Sequence, residues 1–511
     1  MKLAASLFLI ACCASAQMRV MALHSQSPLI TFRIVFTAGS AADPPTKPGL
    51  ANLTAAMLSD GSTKTHTYSQ IEDMLFPMAA SFESQVDEEM SAFIGATHVD
   101  NLEAYYKLMH DMLLQPGWRE EDFKRVKDDA INGIKSGLRN NDEELGKEVL
   151  YSEIYQGTSY GHYSLGAISS LEAITLDDVK HFYASHYAQA NLILGISGGY
   201  QPEFLERLKK DFRTLPAASG FHERRKNPTI PTENRAVIVE KDTGSVAMSL
   251  GFPISCTRES PDYPALLVAS SYLGQHRMSG SVLYDEMREK RGLNYGDYSY
   301  IEYFPRGMYQ MEPSPNLARR YQIFQIWIRP VQPATAKFSL RLALYELDNL
   351  IKHGLTEESF ETARSFVTKY TNVLTSTQSA RLGYDIDGMF YGMPNFIEQK
   401  GLSLPKNVGG GSDKSPLDYI VGLKQNLARL TLADVNRVIR RYLRTERLTI
   451  VAVSKNAEDL KQQFASDDPS PMTYNSPKPA SITDIDKIVE KWPLHLKADA
   501  IQIIPADQVF Q

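Results

Sequence analysis

The sequence predicts an α+β protein built from two homologous domains, and two observations lead to this fold class. Each half of the 511-residue chain mixes strand-like segments with long helical ones, in runs typical of a mostly antiparallel sheet with helices packed on one face. In addition, the segment Ile174–Val179 and the apolar strand after it return 256 residues later (430 − 174 = 256), starting at Leu430–Val435. That distance is far too long for a solenoid repeat and indicates a duplicated domain.

Composition is that of an ordinary folded protein with a large core, since 43% of residues are hydrophobic and 22% are charged. Beyond the N-terminal sixteen residues the sequence contains one cysteine, Cys256, which excludes an internal disulfide. The net charge of −6 includes no basic block of the kind that binds nucleic acid, so we expect no nucleic-acid partner.

The first sixteen residues predict a secretory signal peptide. Met1-Lys2 precedes an apolar run at Leu3–Ala11, which is too short to span a bilayer as a mature helix, and Ala14-Ser15-Ala16 suits cleavage before Gln17. The segment Leu9–Cys12 also resembles a bacterial lipobox, which would leave a lipid on Cys12. We therefore expect an exported, periplasmic protein, attached to a membrane only if Cys12 is lipidated.

The first domain, predicted over residues 17–214, begins with a strand and a helix. The alternation over Leu29–Phe36 favours a strand, and a turn-rich loop leads to a helix over Pro48–Leu58. On that helix an i, i+3, i+7, i+8 pattern forms one buried face. Asn52, Ala55 and Ala56 share another face, where chemistry would be expected.

This helix resembles the zinc helix of the insulinase-like (pitrilysin) metallopeptidases, which reads Gly-Leu-Ala-His-x-x-Glu-His-Met-Leu. Gly49-Leu50-Ala51 and Met57-Leu58 match the frame. Asn52 and Ala56 stand where the zinc-binding histidines would be, and Ala55 stands where the catalytic base would be. The third zinc ligand of the family is a glutamate. Its position falls near Asn132 or Gly133 in this chain, so this ligand is missing as well. The resemblance therefore implies a member without zinc in this chain and without catalytic residues.

Two paired strands are predicted after the helix, over Ala80–Gln85 and Met90–Gly95, and a helical region follows. In the family that this chain resembles, the first of these strands is a sheet edge on which a peptide adds as an extra strand. The residues alone favour an internal strand instead.

A linker is predicted over 215–235, where Pro228 and Pro231 accompany a run of charges. The second domain then covers 236–457, and a C-terminal extension covers 458–511. The resemblance implies that the two domains face each other across a chamber, and that an Arg and a Tyr of the second domain bind the substrate. Arg288 and Tyr295 keep the family spacing of seven residues.

A guanidinium and a phenol can donate hydrogen bonds to a peptide carbonyl, so Arg288 and Tyr295 are candidate substrate-binding residues. The residues alone also allow a surface Arg on a helix and a core Tyr on the next strand. The resemblance implies a non-catalytic subunit of a periplasmic zinc peptidase, in which a homologous partner subunit carries the zinc and both act on peptides. The alternative is a peptide-binding or scaffold protein without a peptidase partner. Such a protein could be a monomer or a homodimer.

Overall fold

The structure is a computed structural model that describes residues 18–217, 226–310, 313–393 and 419–511. The predicted signal peptide and the middle of the predicted linker, residues 218–225, lie outside this part of the chain. Among the helices of the described ranges, none has the length and apolar character needed to cross a membrane.

The strands form two sheets, one in each half of the chain. The first sheet contains β1 (Arg19–His24), β2 (Leu29–Phe36), β3 (Ser81–Val86), β4 (Ser91–His98) and β5 (Leu192–Gly198). The second contains β6 (Arg235–Glu240), β7 (Val246–Ile254), β8 (Asp297–Tyr300), β9 (Gln322–Val331), β10 (Thr449–Ser454) and β11 (Ile501–Pro505).

Strand order in the two sheets confirms the duplication. The first sheet has the order β1-β5-β2-β4-β3, and the second repeats it as β6-β10-β7-β9-β8 with β11 added beside β6. In both sheets the strand that opens the half pairs in parallel, β1 with β5 and β6 with β10, and the next pairings are antiparallel. The sheets are therefore mostly antiparallel, as expected.

Sixteen α-helices are assigned in the described ranges, and they divide between the halves. The first half contains α1 (Leu50–Ser59), α2 (Tyr68–Leu75), α3 (Leu102–Leu114), α4 (Glu120–Asn132), α5 (Asp142–Ile154), α6 (Ile168–Ala173), α7 (Leu176–His186) and α8 (Pro202–Phe212). The second contains α9 (Tyr263–Gly274), α10 (Ala336–His353), α11 (Glu357–Leu374), α12 (Gln378–Phe390), α13 (Tyr419–Arg429), α14 (Leu432–Tyr442), α15 (Ala457–Ala465) and α16 (Ala480–Val489).

The repeated sequence motif is a helix start. Thr175 accepts a hydrogen bond from the backbone N–H of Asp178, whose side chain accepts one from the backbone N–H of Thr175. Thr431 and Asp434 form the same reciprocal pair at the start of α14. Both copies thus keep a capping box, which satisfies N–H groups that have no partner inside the helix.

Helices are exchanged between the halves. α12, from the second half, packs on β1, β2 and β5 of the first sheet. α5, from the first half, packs on β7, β9 and β10 of the second sheet. Each sheet therefore carries helices of its own half on one face and a helix of the other half on the opposite face, which explains why β2 and β5 are buried along almost their whole length.

Two apolar cores join the halves at these exchanged helices. In one, Leu382 and Ile386 of α12 pack with Val35 and Ile193. In the other, Leu145 and Val149 of α5 pack with Val451 and Val453 of β10. The α+β fold of two homologous domains is confirmed, and a helix of the other half packs on one face of each sheet.

The C-terminal segment completes the second sheet and returns to the first half. β11 pairs in parallel with β6, so it extends the sheet by one strand. Beyond it, the backbone carbonyl of Val509 accepts a hydrogen bond from Arg139 (Nη2–O 2.7 Å), and that of Phe510 accepts one from the N–H of Ile168. The predicted extension is thus a further tie between the halves.

Candidate functional site

The start of α1 is held by a buried carboxylate. Gly49 precedes the helix with a φ of 96°, a left-handed conformation that favours glycine. The two carboxylate oxygens of Asp43 accept hydrogen bonds from the backbone N–H groups of Gly49 and Ala51, each at 2.7 Å. Since these N–H groups have no partner within the helix, Asp43 fixes where α1 begins.

The face of α1 that would carry a metal has no ligand set. Ala55 is fully buried, and Asn52 and Ala56 are half-buried. At the third ligand position, Asn132 ends α4 and Gly133 begins a π-helix over Gly133–Leu138. A Cβ atom at Gly133 would lie 3.3 Å from Cδ2 of Leu165, so an apolar side chain occupies the space beside it.

Zinc does not fit these residues. Two methyl groups and one amide replace two imidazoles and a carboxylate, and the usual donors to Zn²⁺ are thiolate, imidazole and carboxylate groups. Within the described ranges, no three His, Cys, Asp or Glu side chains come together as a metal site would require. The donor chemistry of this face therefore does not suit a zinc ion.

A buried group of polar side chains lies next to this helix, and sequence reasoning missed it. Nε2 of His162 is 3.3 Å from Oδ2 of Asp43, and the hydroxyl of Ser40 donates to Glu88 at 2.8 Å. Burial would lower the pKa of His162, but its hydrogen bond with Asp43 and the nearby Glu88 carboxylate raise it overall. Burial raises the pKa of Glu88 to about 7, although Arg319 opposes this rise. His162 thus interacts with the carboxylates of both Asp43 and Glu88.

β3 lies at the edge of the first sheet, beside α1, so the prediction of an internal strand is wrong. It pairs only with β4 in the described sheet, and the hydroxyls of Ser59 in α1 and Ser84 in β3 are 2.9 Å apart. Ser81 and Glu83 are exposed. Alternation alone could not reveal this position, because strand order depends on pairings between distant segments.

Arg288 contacts a third residue, Tyr284, whose ring also lies beside the backbone at Gly296, the neighbour of Tyr295. The guanidinium of Arg288 lies 4.8 Å from the centre of the Tyr284 ring and donates a hydrogen bond to its hydroxyl. A Cβ atom at Gly296, the neighbour of Tyr295, would lie 2.9 Å from the same ring. Tyr284 was missed in the sequence, although it precedes Arg288 by one helical turn.

Both candidate residues remain accessible. Tyr295 is 75% exposed and lies in the turn before β8, so the alternative of a core Tyr on a strand is wrong. Arg288 is about two-fifths exposed and lies 3.7 Å from Glu289. Its partners, Tyr284 and Glu289, belong to its own helical segment, which leaves part of the guanidinium free to donate elsewhere.

The two π-helices assigned in the described ranges coincide with positions that the resemblance singles out. One, Gly133–Leu138, begins at the position of the third metal ligand, and the other, Tyr284–Glu289, contains Arg288. A π-turn inserts a residue into a helix and is frequent at functional sites. At Gly133 the helical irregularity thus lies at a position that has no ligand side chain.

Comparisons with known proteins agree with this geometry. The family described as "Insulinase (Peptidase family M16)" matches residues 19–167, and the one described as "Peptidase M16 inactive domain" matches residues 173–367. The non-peptidase homolog YmxG of Helicobacter pylori is 21% identical over 441 residues, which cover 84% of this chain and 90% of that protein.

Two further proteins are similar over much of their length. An uncharacterized zinc protease of Streptomyces coelicolor is 22% identical over 64% of this chain and 68% of that protein. A crystal structure of a peptidase M16 inactive domain from Pseudomonas fluorescens matches with a TM-score of 0.70 and 22% identity, over 86% of this chain and 96% of that one. The structural match supports the fold alone.

Proposed function

Because the chain belongs to the M16 (insulinase) peptidase family and lacks that family's zinc ligands, we propose that it is the non-catalytic subunit of a zinc peptidase complex. In this proposal a homologous partner subunit carries the zinc. This chain contributes a peptide-binding edge, Arg288 and Tyr295, and one side of a chamber that is formed between the two subunits.

The observation that carries this proposal is the asymmetry between two positions. At α1 the ligands and the base are replaced together by Asn52, Ala55 and Ala56. In the other half, Arg288 stays partly exposed beside Tyr284, and Tyr295 stays exposed. A homologue that had lost every function would have no physical reason to hold a partly desolvated guanidinium and an exposed phenol at the family spacing.

The position of β3 also supports peptide binding. Its outer edge has N–H and C=O groups that no described strand pairs with, and exposed edges are costly unless they are covered or used. An extended peptide that adds to such an edge is held by backbone hydrogen bonds, which tolerate many side chains. Arg288 and Tyr295 would then donate to carbonyl groups of the same peptide.

Export to the periplasm remains part of the proposal through residues 1–16, and membrane attachment would require lipidation at Cys12. Peptides produced in or delivered to the cell envelope would then be the substrates. Neither nucleic acid nor a cofactor of this chain itself has a role in the proposal.

A native pull-down of the full chain from the cell envelope tests the proposal. The expected result is a near-stoichiometric homologue with an intact His-x-x-Glu-His motif, and zinc-dependent peptide cleavage by the reconstituted pair. Recovery of the chain alone or as a self-dimer would contradict the subunit function and favour the scaffold alternative.

A further inference from the structure

Positions in the two halves can be matched through a shared contact between a helix and an edge strand. In the first half, Ser59 of α1 contacts Ser84 of β3. In the second half, Gly274 of α9 is packed against Ser299 of β8, since a Cβ atom at Gly274 would lie 2.6 Å from the Ser299 nitrogen. Both pairs are related by the same offset of 215 residues (274 − 59 and 299 − 84).

This offset locates the counterpart of the metal-binding face on α9. The positions of Asn52, Ala55 and Ala56 correspond to Leu267, Ser270 and Ser271, which share the spacing i, i+3, i+4. These three side chains therefore project from α9 as the ligand positions project from α1.

The counterpart of the third ligand position follows from a second repeat, in which Glu120-Glu121-Asp122-Phe123 ahead of one helix is matched by Glu357-Glu358-Ser359-Phe360 ahead of another. Glu120, at the start of α4, corresponds to Glu357, at the start of α11, with an offset of 237 residues (357 − 120). With the same offset, Tyr370 is the counterpart of Gly133. Three counterpart positions thus lie on α9 and the fourth lies on α11. In the first half, the three corresponding residues lie on α1 and Gly133 directly follows α4.

All four counterparts, Leu267, Ser270, Ser271 and Tyr370, line one cavity of the second half. The cavity has a volume of about 110 Å³ and lies among α9, α11, α12, α13 and β8. Protein interiors are normally packed without voids of this kind. The place that holds zinc in active family members is therefore matched, in the duplicated half, by an open pocket.

The lining of the cavity is aromatic and aliphatic. Besides Tyr370, its walls include Tyr300, Phe304, Tyr384 and Tyr419. The rings of Tyr384 and Tyr419 are stacked, with centroids 5.7 Å apart and planes 9° apart. Aromatic walls favour flat ring systems, because offset-stacked and edge-to-face contacts add to the burial of apolar surface.

The two charged groups of the lining, Arg258 and Glu302, pair with each other. Arg258 donates to Glu302 (Nε–Oε1 2.8 Å) and to Asp387 (Nη1–Oδ2 2.9 Å), and its guanidinium lies 5.0 Å from the centre of the Tyr384 ring. The hydroxyl of Tyr263 also donates to Glu302. A charged ligand would lose its hydration in this cavity without gaining a free countercharge.

His276, on the same lining, adds no charge at neutral pH. Burial lowers the pKa of His276 to about 3, and its two ring nitrogens are 2.7 Å from the hydroxyl of Tyr300 and 3.0 Å from the carbonyl oxygen of Gln310. It therefore contributes a neutral, hydrogen-bonded ring to the wall.

We propose that this cavity, the counterpart of the lost zinc site, binds an uncharged small molecule that contains an apolar ring system. The ligand would insert its rings between α9 and α11, against Leu267, Ser271 and Tyr370. Mostly apolar pockets with few polar groups are the usual form of small-molecule sites.

A matched pair of fluorescent probes tests both the site and its preference for neutral ligands. N-phenyl-1-naphthylamine is uncharged, and 1-anilinonaphthalene-8-sulfonate has the same rings with an added anionic group. With the purified full chain we expect saturable, one-to-one binding of the neutral probe and binding of the anion weaker by at least about tenfold. Absence of saturable binding of the neutral probe, or tighter binding of the anion, would overturn the proposal.

Two variants locate the site. Ser271→Trp fills the cavity and should weaken binding of the neutral probe by about tenfold or more, because the indole leaves no room for the rings of the probe. Ala56→Trp adds the same side chain at the corresponding position of the first half. Its affinity for the neutral probe should stay within about twofold of the wild-type value. Equal losses in both variants, or no loss in Ser271→Trp, would contradict the assignment.

A third measurement does not depend on whether the filled variant folds. Photo-crosslinking of the wild-type chain with an uncharged benzophenone, followed by peptide mass spectrometry, should label α9 or α11. Labelling confined to other segments would refute the site.

Discussion

Arg319 and Asp87 form a buried ion pair that joins the two halves of the chain. Nε and Nη2 of Arg319 donate to the two carboxylate oxygens of Asp87 at 2.8 and 2.5 Å, and the guanidinium lies 3.6 Å from the centre of the Tyr303 ring. Asp87 lies in the turn between β3 and β4, and Arg319 lies just before β9. The pair therefore fixes the turn of the proposed peptide-binding edge against the other half.

Asp87→Asn should strongly destabilise the protein, because the buried Arg319 guanidinium loses the carboxylate that accepts two of its hydrogen bonds and keeps only Glu88, 3.9 Å away. Breaking a buried pair from one side typically costs about 3–5 kcal/mol. Urea denaturation would measure the free energy of unfolding. The matched control is Asp242→Asn at the exposed ion pair with Lys455, for which we expect no measurable change.

Ile386→Ala should weaken the docking of α12 on the first sheet. Ile386 is fully buried, and truncation of such a side chain costs about 2–5 kcal/mol. Val373→Ala in α11, where the side chain is about half exposed, is the control and should have little effect. Limited proteolysis should cut the Ile386→Ala variant faster than the control, and equal rates would argue against the exchanged-helix interpretation.

Stability should fall as the pH rises, in part because of Glu148. Burial raises the pKa of Glu148 from 4.5 to about 8, and the Tyr303 hydroxyl donates to its carboxyl group at 3.0 Å. Between these two pH values the folded protein keeps a proton that the unfolded chain releases, so raising the pH favours unfolding. Below pH 4.5 the group is protonated in both states and has no such effect.

Glu148→Gln removes that titration. The free energy of unfolding of the variant, relative to wild type, should therefore increase as the pH rises from 4.5 to 8. Urea titrations at several pH values would measure the difference. A difference that does not change with pH would show that Glu148 ionises alike in both states.

The purified chain should bind no stoichiometric zinc, because Asn52 and Ala56 offer an amide and a methyl group where two imidazoles would bind the metal. Elemental analysis after equilibration with zinc and gel filtration should find far less than one ion per chain, and a chelator should leave Tm unchanged. One tightly held zinc per chain, together with chelator-sensitive peptide cleavage, would contradict the proposed function.

Arg288→Ala should lower peptide turnover by the reconstituted pair without dissociating it. A charged hydrogen bond that strengthens in the transition state is typically worth about 2.7–4 kcal/mol, or a roughly 100- to 1,000-fold loss of kcat. Arg440→Ala, at an exposed arginine of α14, is the control and should leave turnover unchanged. Unchanged turnover in Arg288→Ala would exclude the proposed binding contact.

The sequence predicted part of the local structure, since β2 and α1 depend on periodicity and turn signals within a few residues. It also predicted the loss of the zinc ligands, because ligand identity is a property of residue type. It did not predict Tyr284 beside Arg288, or the contacts of Asp43 with His162, because these depend on side chains that approach only in the folded chain.

Gly195 illustrates the difference between the two kinds of information. The sequence by itself places Gly195 in an apolar strand, since the residues around it are β-branched or aliphatic. Only the tertiary structure shows why this position lacks a side chain: a Cβ atom there would lie 2.6 Å from Cδ1 of Ile386 in the exchanged helix. The sequence thus determined the family, the elements and the absent ligands. The tertiary structure decided which strand is an edge and which helix covers each sheet, because those contacts join residues far apart in the chain.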